Sequence, residues 1–179
     1  MRIRDATQSD VTQIAELHAA SWRTAYRGML SEAYLGGDLV GERTRIWIDR
    51  LNNPDPKQRV LLAEISGKAA GFTCAYGSSN PELGTLLDNL HVSREFQRQG
   101  IGARLMSEIA AWCYRELPGE GLFLWVLEPN LQARSFYEHR GAVIVARDTW
   151  FPPDGGAIPS LCYAWKDVEA LLAALGQVN

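Results

Sequence analysis

Hydrophobic residues recur every three or four positions in five segments of the chain, a spacing that places them on one face of a helix. Gly36, Gly37 and Gly41 lie in the second segment and predict a break within it. Pro118 and Gly119 end the third segment, and Asp167 predicts a cap for the last one. The predicted helical segments are residues 9–26, 31–51, 100–117, 131–139 and 168–175.

Shorter apolar runs bounded by turn residues predict six strands. Ser66-Gly67-Lys68 separates the first two runs, which we interpret as a hairpin. The fourth run is wholly apolar, so we expect it to be buried on both faces, beside the third run and connected to it by a helical crossover. The predicted strands are residues 60–65, 70–76, 86–92, 122–127, 142–151 and 158–165.

The composition restricts the class of protein. A length of 179 residues and a hydrophobic content of 46% fit one globular domain, residues 1–179. The net charge of -3 argues against a nucleic-acid partner, because nucleic-acid binding usually needs a basic face. The N-terminal residues lack the apolar run of a signal peptide, and no segment has the roughly 20 apolar residues of a membrane span. We therefore expect a cytoplasmic protein with no membrane partner.

The cysteines give no metal-binding pattern. Cys74, Cys113 and Cys162 are far apart, and none has a histidine close to it in the sequence. Because structural zinc sites use closely spaced pairs of ligands, we expect reduced, mostly buried thiols and no metal.

The loop that joins the strand at 86–92 to the next helix has the features of a phosphate-binding site. A helix that begins near Gly100 presents backbone N–H groups with no partner inside the helix, and its dipole favours an anion there. Glycine at positions 100 and 102 lets a bulky group approach these amides, and Gln97 and Arg98 add side-chain donors. This pattern predicts a ligand with a pyrophosphate, such as a nucleotide.

Two common nucleotide motifs do not fit this loop. The phosphate loop of NTPases needs a Lys-Ser/Thr pair after its last glycine, where this chain has Ala103-Arg104. The dinucleotide fingerprint needs a third glycine, where this chain has Leu105. A tight turn into a helix, without any ligand, remains an alternative at this point.

A second motif lies downstream of the loop. The loop reads Gln97-x-x-Gly100-x-Gly102, and the later segment reads Asn130-x-x-Ala133-x-x-Phe136-Tyr137-x-x-x-Gly141. Together the two segments resemble the GNAT superfamily of N-acetyltransferases, and the order of predicted elements is similar over nearly the whole chain. The resemblance implies an α/β (α+β) fold with a mixed, mostly antiparallel sheet whose central strands splay apart and are flanked by helices. It also implies acetyl-CoA as cofactor and direct acetyl transfer to a primary amine in a ternary complex.

The resemblance further implies which residues bind the cofactor. The backbone of Leu90, His91 and Val92 would pair with the pantetheine arm, and the Asn130 side chain would hydrogen-bond that arm. Ser135 and Arg134 are weaker candidates for the cofactor tail, and for Arg134 a solvated position on the helix surface is an equal alternative. The backbone amides expected to hold the pyrophosphate are those of Gln97, Arg98, Gln99, Gly100, Ile101, Gly102 and Ala103.

Tyr137 is the implied acid that stabilises the departing CoA thiolate, and the Leu90 amide is the implied donor to the oxyanion. Core packing is the alternative role for Tyr137. Proton transfer from a phenol near pKa 10 to a thiolate near pKa 8.5 is uphill by roughly 2 kcal/mol. We therefore expect a hydrogen bond to the thiolate with late proton transfer.

The acceptor must lose a proton before it attacks, because an alkylammonium is mostly charged at neutral pH. Asp88 is the first candidate for the base, although a strand carboxylate that only hydrogen-bonds a neighbour is the alternative. Many relatives have a glutamate where this chain has Leu86, so Glu82, Glu128 and His91 stay open. Strand alternation predicts one face with Leu86, Asp88, Leu90 and Val92, and an opposite face with Leu87, Asn89 and His91.

The acceptor side implied by the resemblance is rich in aromatic residues. Trp22, Tyr26 and Trp150, with Phe151, would line an apolar or cation-binding pocket, although core packing is the alternative for Trp22. Arg23, Arg27 and Glu32 would lie at its rim. The acceptor stays open among a peptide N-terminus, a lysine, a polyamine and a small amine.

Two other functions also stay open. One is a catalytically silent regulatory protein that binds acyl-CoA, and the other is an enzyme that uses a different acyl-CoA, such as succinyl-CoA. A homodimer is a further expectation, at the level of the family only.

Overall fold

The computed structural model describes residues 1–176 and contains a seven-stranded sheet flanked by helices on both faces. The strand order is β1-β2-β3-β4-β5-β7-β6, in which β4 and β5 are parallel and the other neighbours are antiparallel. The strands are β1 (Arg2–Asp5), β2 (Gln58–Ile65), β3 (Lys68–Asn80), β4 (Gly84–Val92), β5 (Leu122–Leu127), β6 (Val143–Trp150) and β7 (Ile158–Trp165). The helices are α1 (Val11–Ala25), α2 (Glu32–Leu35), α3 (Leu39–Asn52), α4 (Ile101–Glu116), α5 (Leu131–Glu138) and α6 (Val168–Gly176).

This arrangement confirms the predicted fold class and most predicted elements, with three differences. The predicted break lies between α2 and α3, but Gly41 is inside α3, where its N–H donates to the capping side chain of Asp38 at 2.9 Å. The strand β1 was not predicted, because residues 2–5 contain a single large apolar residue, Ile3. The strand β5 is not buried on both faces throughout, since Trp125 is 44% exposed.

The two largest hydrophobic clusters among the described residues lie on opposite faces of the sheet. On one face, Leu105 and Ile109 of α4 and Leu171 of α6 pack against Leu61 and Leu87. On the other face, Ile14 of α1 and Trp47 of α3 pack against Leu62 and Phe72. We call the second the α1 face, because α1 and α3 cover it. Among residues 1–176, no helix combines the length and the apolar character that crossing a membrane requires.

The central strands β4 and β5 pair over a short distance only. Their register includes Thr85 with Leu122 and Leu86 with Phe123, whereas β5 remains paired with β7 as far as Leu127. Beyond Leu86, β4 therefore has one edge without a neighbouring strand, and the sheet opens there.

A bulge interrupts β4 close to this opening. Asn89 lies opposite Cys74 and Leu87 lies opposite Ala75, so Asp88 is the extra residue. A bulge shifts the side chains that follow it to the other face of the strand.

The bulge overturns the alternation predicted for this strand. Leu90 and Val92 pack against the α4 core, but Arg50 of α3 contacts both Asp88 and Asn89 on the α1 face. The prediction that Asp88 shares a face with Leu90 and Val92 is therefore wrong.

An ion-pair network attaches the start of α1 to the edge of the sheet. Arg4 of β1 donates from Nη1 and Nη2 to the two carboxylate oxygens of Asp10 at 2.7 and 2.8 Å, and from Nη2 to Glu64 of β2 at 2.8 Å. The backbone N–H of Thr7 also donates to Asp10, at 2.7 Å. Because Asp10 is only 2% exposed, its charge depends on these partners.

We predict that Asp10→Ala lowers the free energy of unfolding by about 2 kcal/mol, because a buried, charge-assisted hydrogen-bond partner is lost. Hydrogen bonds from Arg4 are the main cause that lowers the pKa of Asp10 to about 2, from 3.8. Its stabilising contribution should therefore be complete above about pH 4 and decline as the pH falls towards 2. Urea unfolding of both proteins at several pH values measures this. Asp5→Ala, at a carboxylate that is 72% exposed, is the control and should change stability little. Equal effects of both substitutions would contradict the prediction.

Candidate active site

A cleft of about 890 Å³ lies between α1, the end of β4 and the start of α5. Ser21, Val92, Gln97 and Asn130 are among its lining residues. The cleft thus meets the part of the sheet where β4 has separated from β5.

The open edge of β4 presents backbone groups towards this separation. The Ser93 N–H donates to the Ala70 carbonyl of β3 at 2.9 Å. Because N–H groups alternate in direction along a strand, those of Leu90 and Val92 point away from β3, towards the edge that β5 has left. An extended ligand could pair with them as a strand does.

The loop after β4 collects further backbone donors. Gly100, with φ of 77°, is the N-cap of α4, and Arg98 also has a positive φ, 63°. The Arg104 N–H makes the hydrogen bond to the Gly100 carbonyl at 3.0 Å, so the amides at 101–103 precede the intrahelical pattern. Left-handed residues among consecutive amides form a concave anion site, which supports the predicted phosphate loop.

The side chain of Gln97 is partly engaged within the protein, because its Nε2 donates to the Val92 carbonyl at 3.3 Å. A Cβ atom added at Gly102 would meet Phe136 and Val92 at 3.5 and 3.6 Å, which are ordinary contact distances. Internal packing therefore does not require glycine at 102, whereas the positive φ at Gly100 does favour it.

The residues of α5 have unequal access to the cleft. Asn130 lines it and caps α5, since its Oδ1 accepts from the Ala133 N–H at 3.1 Å. Its amide nitrogen is thus the group left for a ligand. Ser135 approaches Nδ1 of His139 at 3.2 Å on the exposed side of the helix.

Arg134 holds α5 against the sheet. Its Nε donates to the Tyr163 hydroxyl at 3.3 Å, and its Nη1 donates to the Glu128 carbonyl at 3.0 Å. These contacts favour a structural role for Arg134. The sequence had suggested two other roles, a contact to the cofactor tail and a solvated position on the helix surface.

Tyr137 is buried between α5 and the sheet, with its ring 6.0 Å from that of Trp165 and 6.5 Å from that of Tyr163. Burial raises the pKa of its hydroxyl, the nearby Tyr26 raises it further, and Arg140 lowers it. The hydroxyl is therefore a neutral hydrogen-bond donor at physiological pH.

Asp88 is held on the α1 face by Arg50. The Arg50 Nη1 donates to Asp88 Oδ2 at 2.6 Å and to Asn89 Oδ1 at 2.8 Å. The Asp88 side chain remains 29% exposed. Of the other base candidates, Glu82 borders a smaller cavity at the opposite end of β4, and Glu128 pairs with Arg147 at 3.0 Å.

His91 belongs to a partly buried contact that was not predicted. Its Nδ1 lies 2.8 Å from Oγ of Ser21, which lines the cleft. Burial, together with the charge of Arg43, lowers the pKa of His91 to about 4. Because the imidazole is neutral at pH 7, it lacks the negative charge with which a carboxylate binds an ammonium group, and we consider it the less suited candidate.

Three aromatic residues predicted for the acceptor side lie together. The Trp22 ring is 5.1 Å from that of Tyr26 and 6.0 Å from that of Trp150. Burial raises the pKa of Tyr26 to about 12, and the charges of Arg43 and Asp88 also act on it, in opposite directions.

The predicted rim residues differ in role. The Nε of Arg23 donates to the Leu35 carbonyl at 3.0 Å and so ties α2 to α1. Arg27 and Glu32 are exposed, and Phe151 is 73% exposed. Arg43, which the sequence analysis missed, lies over the Trp22 ring at 4.2 Å. Helical spacing from Arg43 to Trp47 was the available signal for its inward position.

Comparisons with known proteins agree with this geometry. Residues 14–142 match the acetyltransferase (GNAT) family. A Mycobacterium tuberculosis protein described as a probable N-acetyltransferase is 31% identical over 170 residues, covering 91% of this chain and 92% of that protein. The N-acetyltransferase YuaI of Bacillus subtilis, described as uncharacterized, is 27% identical over 178 residues and covers 98% of both chains.

Solved structures share the fold. The paia N-acetyltransferase from Thermoplasma acidophilum, solved in complex with coenzyme A, superposes with a TM-score of 0.67 at 20% identity. The superposition covers 89% of this chain and 96% of that one. At this identity, the similarity concerns the fold.

Proposed function

Because the chain belongs to the acetyltransferase (GNAT) family, we propose that this N-acetyltransferase moves an acetyl group from acetyl-CoA directly to a primary amine in a ternary complex. The observation that carries the proposal is the separation of β4 from β5 next to a loop of free backbone amides. Val92 at the end of β4 and Gln97 of the loop line one cleft, together with Ser21 of α1 and Asn130.

The residues around the cleft fit acetyl-CoA. The backbone of Leu90 and Val92 would pair with the pantetheine arm, and the amides at 98–103 would hold the pyrophosphate. The Asn130 amide nitrogen would donate to the same arm. When bound, acetyl-CoA supplies the activated acetyl thioester.

Two groups of this chain would stabilise charge during transfer. The Leu90 N–H would donate to the acetyl oxygen as negative charge develops on it. The Tyr137 hydroxyl would donate a hydrogen bond to the departing sulfur. Because burial raises the pKa of Tyr137, complete proton transfer is even less favourable than for an ordinary phenol, so the hydrogen bond comes before any proton transfer.

Asp88 is the carboxylate that we propose to bind the acceptor ammonium and take its proton. Arg50, which also donates to Asn89, fixes its position, and Asp88 retains access to solvent.

We expect Tyr137→Phe to lower kcat for CoA release by about 100-fold, since the hydrogen bond to the thiolate is lost while the ring is kept. The measurement is thiol release with acetyl-CoA and a panel of primary amines. Tyr163→Phe is the matched control, because its hydroxyl instead contacts Arg134 and Glu138, and its rate should stay near that of the wild type. An unchanged rate in Tyr137→Phe would contradict its role.

Tight acetyl-CoA binding by the wild type without turnover of any amine would favour the alternative function, a regulatory protein that binds acyl-CoA.

For the phosphate loop, we expect Gly100→Ala to weaken acetyl-CoA binding at least tenfold, because a methyl group and a strained φ disturb the amides that hold the pyrophosphate. Gly119→Ala is the matched control, since its φ of 85° is similar and both positions have open space around the added atom. Each substitution should cost about 1 kcal/mol of stability. Calorimetric titration combined with urea unfolding separates the two effects. Equal affinity in the two variants would contradict the assignment.

For the base, we expect Asp88→Asn to lower kcat/KM at pH 7 by about 100-fold. The loss should become smaller as the pH rises towards 9, because more of the acceptor amine is then already neutral. Glu128→Gln is the control, since that carboxylate pairs with Arg147 instead. A pH-independent loss, or no loss, would contradict the role of Asp88.

A further inference from the structure

Trp125 is a half-exposed tryptophan in the interior of the sheet. It lies on β5, which has β4 on one side and β7 on the other. Its exposure is 44%, whereas Phe123 and Leu127, which share its face of β5 by strand alternation, are 6% and 7% exposed. A large apolar side chain that stays open between two buried ones on a central strand is unusual, and such a surface often serves a ligand or a partner.

The strand registers place Trp125 on the α1 face. Phe123 is paired with Leu86, and Leu86 is paired with Tyr76, which packs against the hydrophobic cluster of that face. Directly paired residues share a face of the sheet, so Phe123 lies on the α1 face, and Trp125 lies there too. The helices α1 and α3 pack over β2 and β3 on this face, and they leave the indole of Trp125 open to solvent.

Trp125 and Asp88 flank the opening between β4 and β5. Each lies two residues beyond the pair of Leu86 with Phe123, which is roughly 7 Å along its own strand. Asp88 is also on the α1 face, where Arg50 donates to it at 2.6 Å, and its side chain is 29% exposed. A carboxylate and an indole that are both open to solvent therefore border the same gap from opposite strands.

The side chains next to Trp125 across the sheet carry no charge. Cys162 of β7 is paired with Trp125, and Ala146 of β6 is paired with Cys162. Farther along β5 on the same face, Leu127 packs among the three aromatic residues of the acceptor side. The surface that leads away from Asp88 through Trp125 is therefore apolar and aromatic.

We propose that Trp125 is a specificity-determining residue for the acceptor, which binds with its ammonium group at Asp88 and with an apolar body against the indole. The inference rests on the proposed N-acetyltransferase function and names its substrate class, a primary amine with one cationic end and an apolar body. An indole offers a large, rigid apolar surface to such a body.

A polyamine fits this surface less well than an apolar amine. With one ammonium group at Asp88, its next ammonium group would lie over the uncharged side chains of Cys162 and Ala146. The carboxylate of Asp148 is farther away, on β6 at the edge of the sheet. Charged groups lose hydration over apolar side chains without gaining a partner, so the surface favours a single cationic end.

The test compares hexylamine, ethylamine and spermidine as acceptors in the assay of CoA release. For the wild type, we expect kcat/KM to be at least tenfold higher for hexylamine than for ethylamine, because the longer chain buries more apolar surface. Trp125→Ala should reduce this ratio to near one, and Trp125→Phe should reduce it partially. Tyr114→Ala is the matched control, because that ring is 52% exposed on α4, on the opposite face of the sheet, and it should keep the wild-type ratio. Calorimetric titration with acetyl-CoA identifies the variants that keep a folded cleft, and Trp125→Phe carries the test if Trp125→Ala does not fold.

The possible failures are distinguishable. A ratio near one in the wild type, a ratio that both Trp125 variants leave unchanged, or a preference for spermidine over hexylamine would overturn the role of Trp125 and leave the acetyltransferase function intact. Absence of turnover with every amine would contradict the proposed function. In that case thermal unfolding still tests the site, because hexylamine should raise the Tm of the wild type but not that of Trp125→Ala. No rise in the wild type would overturn the inference.

Sedimentation velocity separates acceptor binding from a contact between two copies of the chain, which could also cover an exposed indole. We expect the wild type and Trp125→Ala to have the same oligomeric state. A dimer of the wild type that Trp125→Ala dissociates would overturn the acceptor role.

Discussion

The separation of β4 from β5 is the constraint on which the candidate site depends. Backbone N–H and C=O groups in a sheet need partners, and β4 loses its neighbour beyond the pair of Leu86 with Phe123 because β5 continues along β7. The resulting edge, at Leu90 and Val92, leads directly into the loop that begins α4. The edge of β4 thus has backbone amides available to an extended ligand, and the loop that follows β4 has backbone amides available to an anion.

The bulge at Asp88 gives the two faces of this strand different functions. Leu90 and Val92 anchor the strand to the core under α4, while Asp88, Asn89 and His91 have their contacts with α1 and α3. The helices on the α1 face carry Tyr26, Trp22 and Arg43, so the proposed acceptor side and the structural support of the strand lie on opposite faces. The network of Arg4 with Asp10 and Glu64 fixes the start of α1 and so contributes to this placement.

The features that could be predicted from the sequence are those encoded locally. The turn at Gly100 and the helix that carries Tyr137 each depend on a few adjacent residues, and the positions of these elements were predicted correctly. The bulge depends on the register between two strands, and the contacts of Ser21 with His91 and of Arg43 with Trp22 join residues distant in sequence. Arg134 is a further example. Helical spacing indicates which face of α5 it occupies, but it does not indicate that Arg134 contacts Tyr163 of β7 and the Glu128 carbonyl.

A crystal structure with coenzyme A tests the central claim most directly. Our account predicts pantetheine amides paired with the backbone of Leu90 and Val92, the pyrophosphate within hydrogen-bond distance of the amides at 98–103, and the sulfur beside the Tyr137 hydroxyl. Coenzyme A bound elsewhere, for example in the small cavity between Ser78 and Gly121, with β4 still unpaired at its open edge, would contradict it.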